Sequence, residues 1–284
     1  MSETHPHAAR SWRAVPLALA LVVAAPAGAA PPDDSVPDPA PAPPPRLTLD
    51  VVPAAVIAGG ALAVWGASAL VDAHAGVQHC RWCNPPELDR WARTELRWGN
   101  PAAAGHASDA LLLTVTLGST VAVAASAASG GTSRWEIVED LVAFGDALAV
   151  SQALTAVAKT TALRLRPDAW AAGGASTSTD VHSFFSGHTS ATFAAAAAAT
   201  QVTRLRGRPA WRWIAVVGFA GAAATGWLRV AADEHWLTDV LAGAAVGTAS
   251  GVAVPLLVLR PASAQPPRVT LAPAPGGLAV AGVF

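Results

Sequence analysis

The fold class that the sequence predicts is all-α, a bundle of about six helices set in a membrane. Hydrophobic residues make up 52% of the 284 residues and charged residues 13%, about half the charged share of an ordinary globular domain. The apolar residues form long stretches of Ala, Leu and small side chains, without the alternation that is typical of a half-buried strand. A helical bundle with a lipid-facing surface fits this composition.

The first 46 residues precede the bundle and divide into two parts. Residues 1–29 resemble an export signal, with Arg10 and Arg13 before a short apolar run and small residues at 27–29 where a signal peptidase would cut. Residues 30–46 form a Pro-rich linker, a composition that favours extended chain and packs no core. We expect both parts to lie outside the fold.

The helical domain is expected at residues 47–259. Four of its stretches carry no charge and approach or exceed the length of a membrane span: 51–71, 110–133, 213–228 and 240–259. Two stretches are weaker, because 137–158 contains three carboxylates and 189–203 is short. The tail, 260–284, is of low complexity, with a possible hairpin.

The topology of this bundle depends on the export signal. If Arg46 is cytoplasmic and all six stretches cross, the links 73–108, 159–187 and 229–239 face outward. A cleaved signal would invert this arrangement. We expect a multi-pass protein of a bacterial inner membrane with its active site facing the periplasm; the alternative is a soluble periplasmic protein whose apolar stretches are core.

The charge balance excludes one class of partner and singles out one residue. Eighteen basic and nineteen acidic side chains give a net charge of -1, which leaves no basic surplus for binding nucleic acid. Seventeen of the basic residues are arginine, and Lys159 is the one lysine. Since a guanidinium fork is bulkier than an ammonium, Lys159 is predicted to occupy a crowded, functional position.

The link 73–108 contains the two cysteines of the chain, Cys80 and Cys83. A local disulfide is the interpretation that an export signal favours, and free or redox-active thiols or a metal site remain alternatives. The link also carries tryptophans and arginines in a pattern typical of an amphipathic segment at a membrane surface, namely Trp82, Arg90, Trp91, Arg93, Arg97 and Trp98.

Three polar clusters interrupt the apolar stretches. In the first, Lys159 and Arg166 lie seven residues apart, before Pro167, so that both cations are able to reach one tetrahedral anion. Taken alone, the pair is also typical of basic side chains that extend to the surface from a helix end.

The second cluster, Ser186-Gly187-His188, immediately precedes the Ala-rich stretch. The N-terminus of a helix presents unpaired N–H groups that bind phosphate readily, and a histidine in the first turn is placed to donate a proton. The same three residues would also serve as an ordinary helix cap.

The third cluster is Arg229, His235 and Asp239. A spacing of four places His235 and Asp239 on one face if they share a helix, where the carboxylate is able to hold one imidazole N–H. The other ring nitrogen then becomes a nucleophile or base. Separately, this spacing is also that of a surface ion pair.

In order and spacing the clusters resemble the three motifs of the type 2 phosphatidic acid phosphatase and vanadium haloperoxidase superfamily, Lys-x6-Arg-Pro, Pro-Ser-Gly-His and Ser-Arg-x5-His-x3-Asp. They appear here as KTTALRLRP, FSGH and LRVAADEHWLTD, within a catalytic core at 140–259. The sequence departs from the pattern twice, with Phe185 in place of proline and Leu228 in place of serine.

The resemblance implies the role of each residue. His235 would attack phosphorus and form a phosphohistidine, oriented by Asp239, and His188 would protonate the leaving oxygen. The non-bridging oxygens would be bound by Lys159, Arg166, Ser186, Gly187 and Arg229. No metal or other cofactor is implied.

The leading hypothesis is therefore a phosphatase that acts on a lipid phosphomonoester or diphosphate, such as a phosphatidate, a prenyl diphosphate or a lipid A. The alternatives are a soluble exported acid phosphatase of the same superfamily, a vanadium-dependent haloperoxidase, and a non-catalytic membrane protein that binds a phosphorylated headgroup. The sequence does not indicate which headgroup is bound or the oligomeric state.

Overall fold

The computed structural model describes residues 46–75, 79–262, 268–274 and 277–283. The expected export signal and nearly all of the Pro-rich linker lie outside these residues. Within them the chain forms eight α-helices, with bounds as follows: α1 Val51–Ala75, α2 Glu87–Leu96, α3 Pro101–Ser129, α4 Arg134–Ala162, α5 Pro167–Ala171, α6 Gly187–Leu205, α7 Trp211–Ala231 and α8 Leu237–Val258.

The all-α bundle is confirmed, and five of its helices are long and apolar enough to cross a membrane: α1, α3, α4, α7 and α8. Large apolar side chains on these helices face outward, with Leu113 62% exposed and Val217 69% exposed. In a membrane, lipid covers these exposed apolar side chains and keeps them from contact with water. The chain is a multi-pass membrane protein, and the two additional helices, α2 and α5, are short elements of the links.

Local capping explains why two helices begin before the apolar stretches. The side chain of Asn100 accepts a hydrogen bond from the backbone N–H of Ala103 at 3.2 Å, and Pro101 occupies the first turn, so α3 begins nine residues before the uncharged stretch at 110. Ser133 caps α4 in the same way, through the N–H of Glu136 at 3.3 Å.

Two of the three carboxylates that make α4 a weak span by sequence, Glu139 and Asp140, are paired with arginines at the end of α6. Asp140 accepts hydrogen bonds from Arg206 Nε and Arg208 Nη1, each at 2.7 Å, and Glu139 pairs with Arg206 Nη2 at 2.9 Å. A buried charge is tolerated when it is paired in this way. These ion pairs lie at the N-terminal end of α4.

Helix α6 lies at the centre of the bundle and packs closely against α8. Three glycines of α8, spaced by four residues, face the backbone of α6. A Cβ on Gly243, Gly247 or Gly251 would lie 2.7, 2.3 or 2.6 Å from the nearest atom, and at Gly247 that atom is the carbonyl oxygen of Ser190. Small residues at this spacing allow two helix backbones to approach.

Two short antiparallel pairs of strands accompany the helices. Strand β1, Leu47–Leu49, precedes α1 and pairs with β2, Leu259–Pro261, which follows α8, so that the two ends of the bundle are joined. In the tail, where the sequence suggested a hairpin, β3 (Arg268–Ala274) pairs with β4 (Gly277–Val283).

Candidate active site

The three motifs meet at one end of the bundle. Lys159 lies in the last turn of α4 and Arg229 in the last turn of α7, whereas α6 begins at Gly187 and α8 at Leu237. Because neighbouring helices alternate in direction, these helix ends share one face. The connecting residues 163–186 and 232–236 complete the site.

Ser186 and Gly187 form the start of α6. The hydroxyl of Ser186 is buried and accepts hydrogen bonds from the hydroxyl of Thr189 at 2.9 Å and from its N–H at 3.5 Å. Its oxygen therefore caps the helix. A Cβ at Gly187 would lie 3.6 Å from the Lys159 ammonium, an ordinary contact distance, so this cation lies close to the start of α6.

Two arginines complete the cationic cluster, and both contact one carboxylate. Arg229 Nη2 lies 3.1 Å from Glu234 Oε2, and Arg166 Nη1 contacts the same oxygen. Arg229 also donates to the hydroxyl of Ser108 at 3.0 Å, and Arg166 to the carbonyl of Thr179. Both guanidinium groups are thus held in place by groups that the motifs do not contain.

The expected pairing of His235 with Asp239 is wrong in its detail. His235 lies before α8, so the two residues share no helix face, and its Nδ1 is 3.8 Å from Asp239 Oδ2. The hydrogen-bond partner of Nδ1 is the carbonyl oxygen of Ser183, at 2.8 Å. Asp239 holds His235 indirectly, through neighbouring residues. It accepts hydrogen bonds from the Ser183 hydroxyl at 2.5 Å and from the Trp236 N–H at 2.9 Å.

This geometry fixes the tautomer of His235. A carbonyl oxygen only accepts hydrogen bonds, so Nδ1 carries the proton and Nε2 keeps its lone pair. Burial, and then the charges of Arg166, Arg229 and Lys159, lower the pKa of His235 well below its ordinary value. The imidazole is therefore neutral near pH 7, in the form that attacks an electrophile or accepts a proton.

His188 faces the pocket from the first turn of α6. Its Nε2 lies 2.8 Å from Asp109 Oδ1 of α3, and that carboxylate is 3.8 Å from Arg229 Nη1. Burial and the nearby Arg229 cation lower the pKa of His188, and the Asp109 carboxylate opposes this shift by stabilising the protonated imidazole, the form that donates a proton to a leaving group. Asp109 carries no motif signal in the sequence, since it directly precedes an apolar stretch and lies 79 residues before His188.

A buried ion-pair network lies behind His235. Arg164 is 1% exposed and contacts two carboxylates, Asp89 of α2 and Asp239 of α8, each fully buried. Asp89 also accepts hydrogen bonds from the N–H and the hydroxyl of Thr238, at 2.9 and 2.7 Å. The ring of Trp82 covers Arg164, with the guanidinium carbon 3.7 Å from the ring centroid. These contacts hold Asp239 in place.

Helix α2 and the turn that contains Cys80 and Cys83 therefore support the site as well as forming part of the protein surface. Arg93 of α2 and Arg97, which follows that helix, bind Asp233 with closest distances of 2.7 and 2.9 Å, and Asp233 lies two residues before His235. Cys80 and Cys83 form a disulfide beside Trp82. Of the tryptophans expected at the membrane surface, Trp91 is 56% exposed, whereas Trp82 packs on Arg164.

No group of three or more His, Cys, Asp or Glu side chains is placed to hold a metal ion in the described part of the chain. The pocket beside His188 has a volume of about 500 Å³ and is lined by residues of α3, α5, the end of α7 and the α7–α8 linker, among them His106, Asp109, Asp168, Arg229 and Glu234.

The helices and the site define a multi-pass membrane protein with a cationic cluster beside two histidines. Residues 140–261 match the family model described as PAP2 superfamily, and this segment contains all three motifs. This match confirms the resemblance of the motif-containing segment to that superfamily.

A lipid A 1-phosphatase of Porphyromonas gingivalis is 39% identical over 88 residues, which are 31% of this chain and 17% of that protein. The chain thus matches only a small part of the length of this relative. The crystal structure of a transmembrane PAP2-type phosphatidylglycerolphosphate phosphatase from Bacillus subtilis aligns with 73% of this chain and 92% of its own, at 18% identity and a TM-score of 0.36.

Proposed function

We propose that the protein is a phosphatase that hydrolyses a phosphomonoester or diphosphate of a lipid through a phosphohistidine. The observation that carries this proposal is the geometry of His235, whose Nδ1 is held by the Ser183 carbonyl while Nε2 keeps its lone pair in a cluster of three cations. A neutral imidazole and cations that bind non-bridging oxygens are what attack at phosphorus requires.

The reaction has two steps. His235 Nε2 attacks phosphorus, the bond to the leaving oxygen breaks, and the protonated His188 gives that oxygen its proton. His188, now neutral, takes a proton from water, whose oxygen attacks phosphorus and breaks the P–N bond. Phosphate leaves, and His235 is restored as the neutral base. Lys159, Arg166, Arg229 and the N–H groups at Gly187 stabilise the negative charge in both transition states.

Two observations support a lipid as the substrate. The site lies at one end of a bundle with lipid-facing sides, which is where the headgroup of a membrane lipid would be. The relative from Porphyromonas gingivalis is named a lipid A 1-phosphatase. The proposed setting is a bacterial inner membrane with the site facing the periplasm, and Arg46 and the Arg206–Arg208 end facing the cytoplasm.

The test is phosphate release from phosphatidic acid, a prenyl diphosphate and lipid A by the full chain in detergent micelles. His235→Ala is expected to lower the rate by at least about 10³-fold, because it removes the nucleophile. A rapid quench into alkaline detergent should trap labelled phosphate on the wild-type chain and not on the variant. The matched control is His74→Ala, an exposed histidine of α1, which should keep full activity.

Three outcomes would contradict this function in different ways. Equal rates for His235→Ala and the wild type would exclude the mechanism. Binding of the lipids without release or trapped phosphate would indicate a non-catalytic headgroup-binding protein. Activity in the soluble periplasmic fraction would favour the exported acid phosphatase.

The pH dependence follows from the lowered pKa of His235. A lowered pKa keeps this residue neutral as the pH falls, and a lower pH also favours the protonated His188. Because the pKa of His188 is lowered as well, phosphorylation of the enzyme is expected to be faster at about pH 6 than at about pH 7.5. Rapid-quench measurements of trapped phosphate test this, and a loss of rate with a midpoint near 6.5, the ordinary histidine value, would contradict it.

A further inference from the structure

Glu234 is a charged residue of the site to which the three motifs assign no role. Its Oε2 contacts Arg166 Nη1 and lies 3.1 Å from Arg229 Nη2. Among the ion pairs of the described residues, it is the carboxylate that joins both arginines of the motifs. Its side chain is 36% exposed at the pocket, so it is able to turn toward solvent.

The contacts of Glu234 use the donors that a bound phosphate needs. A phosphate oxygen between Arg166 and Arg229 would accept hydrogen bonds from the same guanidinium groups, since arginine binds carboxylate and phosphate in similar geometry. The carboxylate and the substrate therefore compete for these groups. An incoming anion binds only if its contacts with the two arginines outweigh the contacts that the Glu234 carboxylate loses.

We propose that Glu234 is a specificity-determining residue, an internal competing anion that admits terminal phosphate groups and rejects phosphodiesters; this inference rests on the proposed lipid phosphatase function. A terminal phosphate carries a charge of about -1.5 to -2 at neutral pH, whereas a diester carries -1. Exchange of the Glu234 carboxylate for a diester brings no additional negative charge to the three cations. Exchange of the carboxylate for a terminal phosphate does bring additional negative charge to these cations.

This selection has a physical purpose at a membrane surface. The common phospholipids of a membrane are phosphodiesters, and a site with three cations and no competing anion would hold their headgroups. A lipid that ends in a phosphomonoester or diphosphate would then meet an occupied pocket. Glu234 raises the charge that a ligand needs for entry.

The surrounding contacts allow Glu234 to move without disturbing its neighbours. Asp233 is fixed by Arg93 and Arg97 at the end of α2, and His235 is fixed by the Ser183 carbonyl. The backbone on both sides of Glu234 is thus held, and exchange of anions requires rotation of one side chain. The nucleophile stays in place while the carboxylate leaves the arginines.

The experiment measures binding directly, so that its result does not depend on turnover. His235→Ala, which cannot be phosphorylated at this position, is compared with the double variant His235→Ala/Glu234→Gln. Competition with radiolabelled inorganic phosphate in equilibrium dialysis gives the affinity of glycerophosphoglycerol, a diester headgroup, and of glycerol phosphate, a monoester.

Glu234→Gln is expected to tighten diester binding by at least about tenfold, the order of one charge-assisted hydrogen bond. Monoester binding should tighten less, so that the ratio of monoester affinity to diester affinity falls. The matched control is Asp168→Asn, which removes a carboxylate from the same pocket that has no ion pair with either arginine in the described residues. It should change the two affinities by the same factor.

An unchanged preference in the double variant, with the thermal unfolding midpoint also unchanged, would overturn the role of Glu234. The same narrowing in Asp168→Asn would overturn it as well, because general electrostatics would then account for the effect. Either result is distinguishable from failure of the proposed function, which would appear as absence of phosphate release by the wild-type chain.

Discussion

Replacing Arg164 by methionine is expected to lower the free energy of unfolding by about 3–5 kcal/mol and to abolish turnover. The change leaves Asp89 and Asp239, both fully buried, without their shared cation. Methionine keeps much of the volume of the side chain, so the loss measures charge rather than packing. Denaturation in detergent micelles gives the stability, and phosphate release gives the activity.

The matched control is Arg90→Met, because Arg90 is exposed on α2 and its side chain donates to the Pro85 carbonyl. This variant should remain within about 0.5 kcal/mol of the wild type. Adding Asp89→Asn to Arg164→Met should recover part of the stability, since it removes one of the two unpaired carboxylates. A wild-type unfolding midpoint for Arg164→Met would show that the network does not stabilise the fold.

The second large effect is expected from a single methyl group on α8. Gly247→Ala places a Cβ 2.3 Å from the Ser190 carbonyl oxygen and 3.0 Å from the Ala194 nitrogen. Both are backbone atoms of α6, so the helices must separate. The expected cost is about 3 kcal/mol or more, at the upper end for overpacked cores, with loss of activity because α6 carries Ser186 and His188.

Gly145→Ala on α4 separates this clash from helix propensity. A Cβ on Gly145 meets no atom within 4 Å, so this variant should be as stable as the wild type or gain up to about 1 kcal/mol. Thermal unfolding of both variants in the same detergent makes the comparison. Equal midpoints would contradict the close approach of α6 and α8.

The sequence predicted the helices well because apolar stretches of membrane length have few alternative structures. It placed the start of α3 too late because the stretch was judged by its lack of charge, whereas the helix begins at the cap formed by Asn100. It treated α4 as a weak span because Asp140 has no visible partner along the chain. The partners, Arg206 and Arg208, follow α6 and become neighbours only when the bundle forms.

In the site, the motif residues were found because their spacing is local. Their partners were missed because each belongs to another segment: Asp89 to α2, Asp109 to α3, and the Ser183 carbonyl to the backbone, which carries no sequence signal. Arg164 lies within the first motif, but the nearby Lys159 and Arg166 left it without an assigned role. The structure turns it away from the cationic cluster toward two carboxylates.

The pairing of β1 with β2 makes the number of helical passes even in the described bundle, residues 46–75 and 79–262. Leu47 of β1, which precedes α1, lies opposite Pro261 of β2, which follows α8. The chain therefore enters and leaves the bundle on the same face. A path between two points on one face makes an even number of crossings. The described residues contain five helices that are apolar enough to span, and α2 and α5 are too short. Helix α6 is therefore the sixth pass of the described bundle, and α3, α4, α7 and α8 surround it.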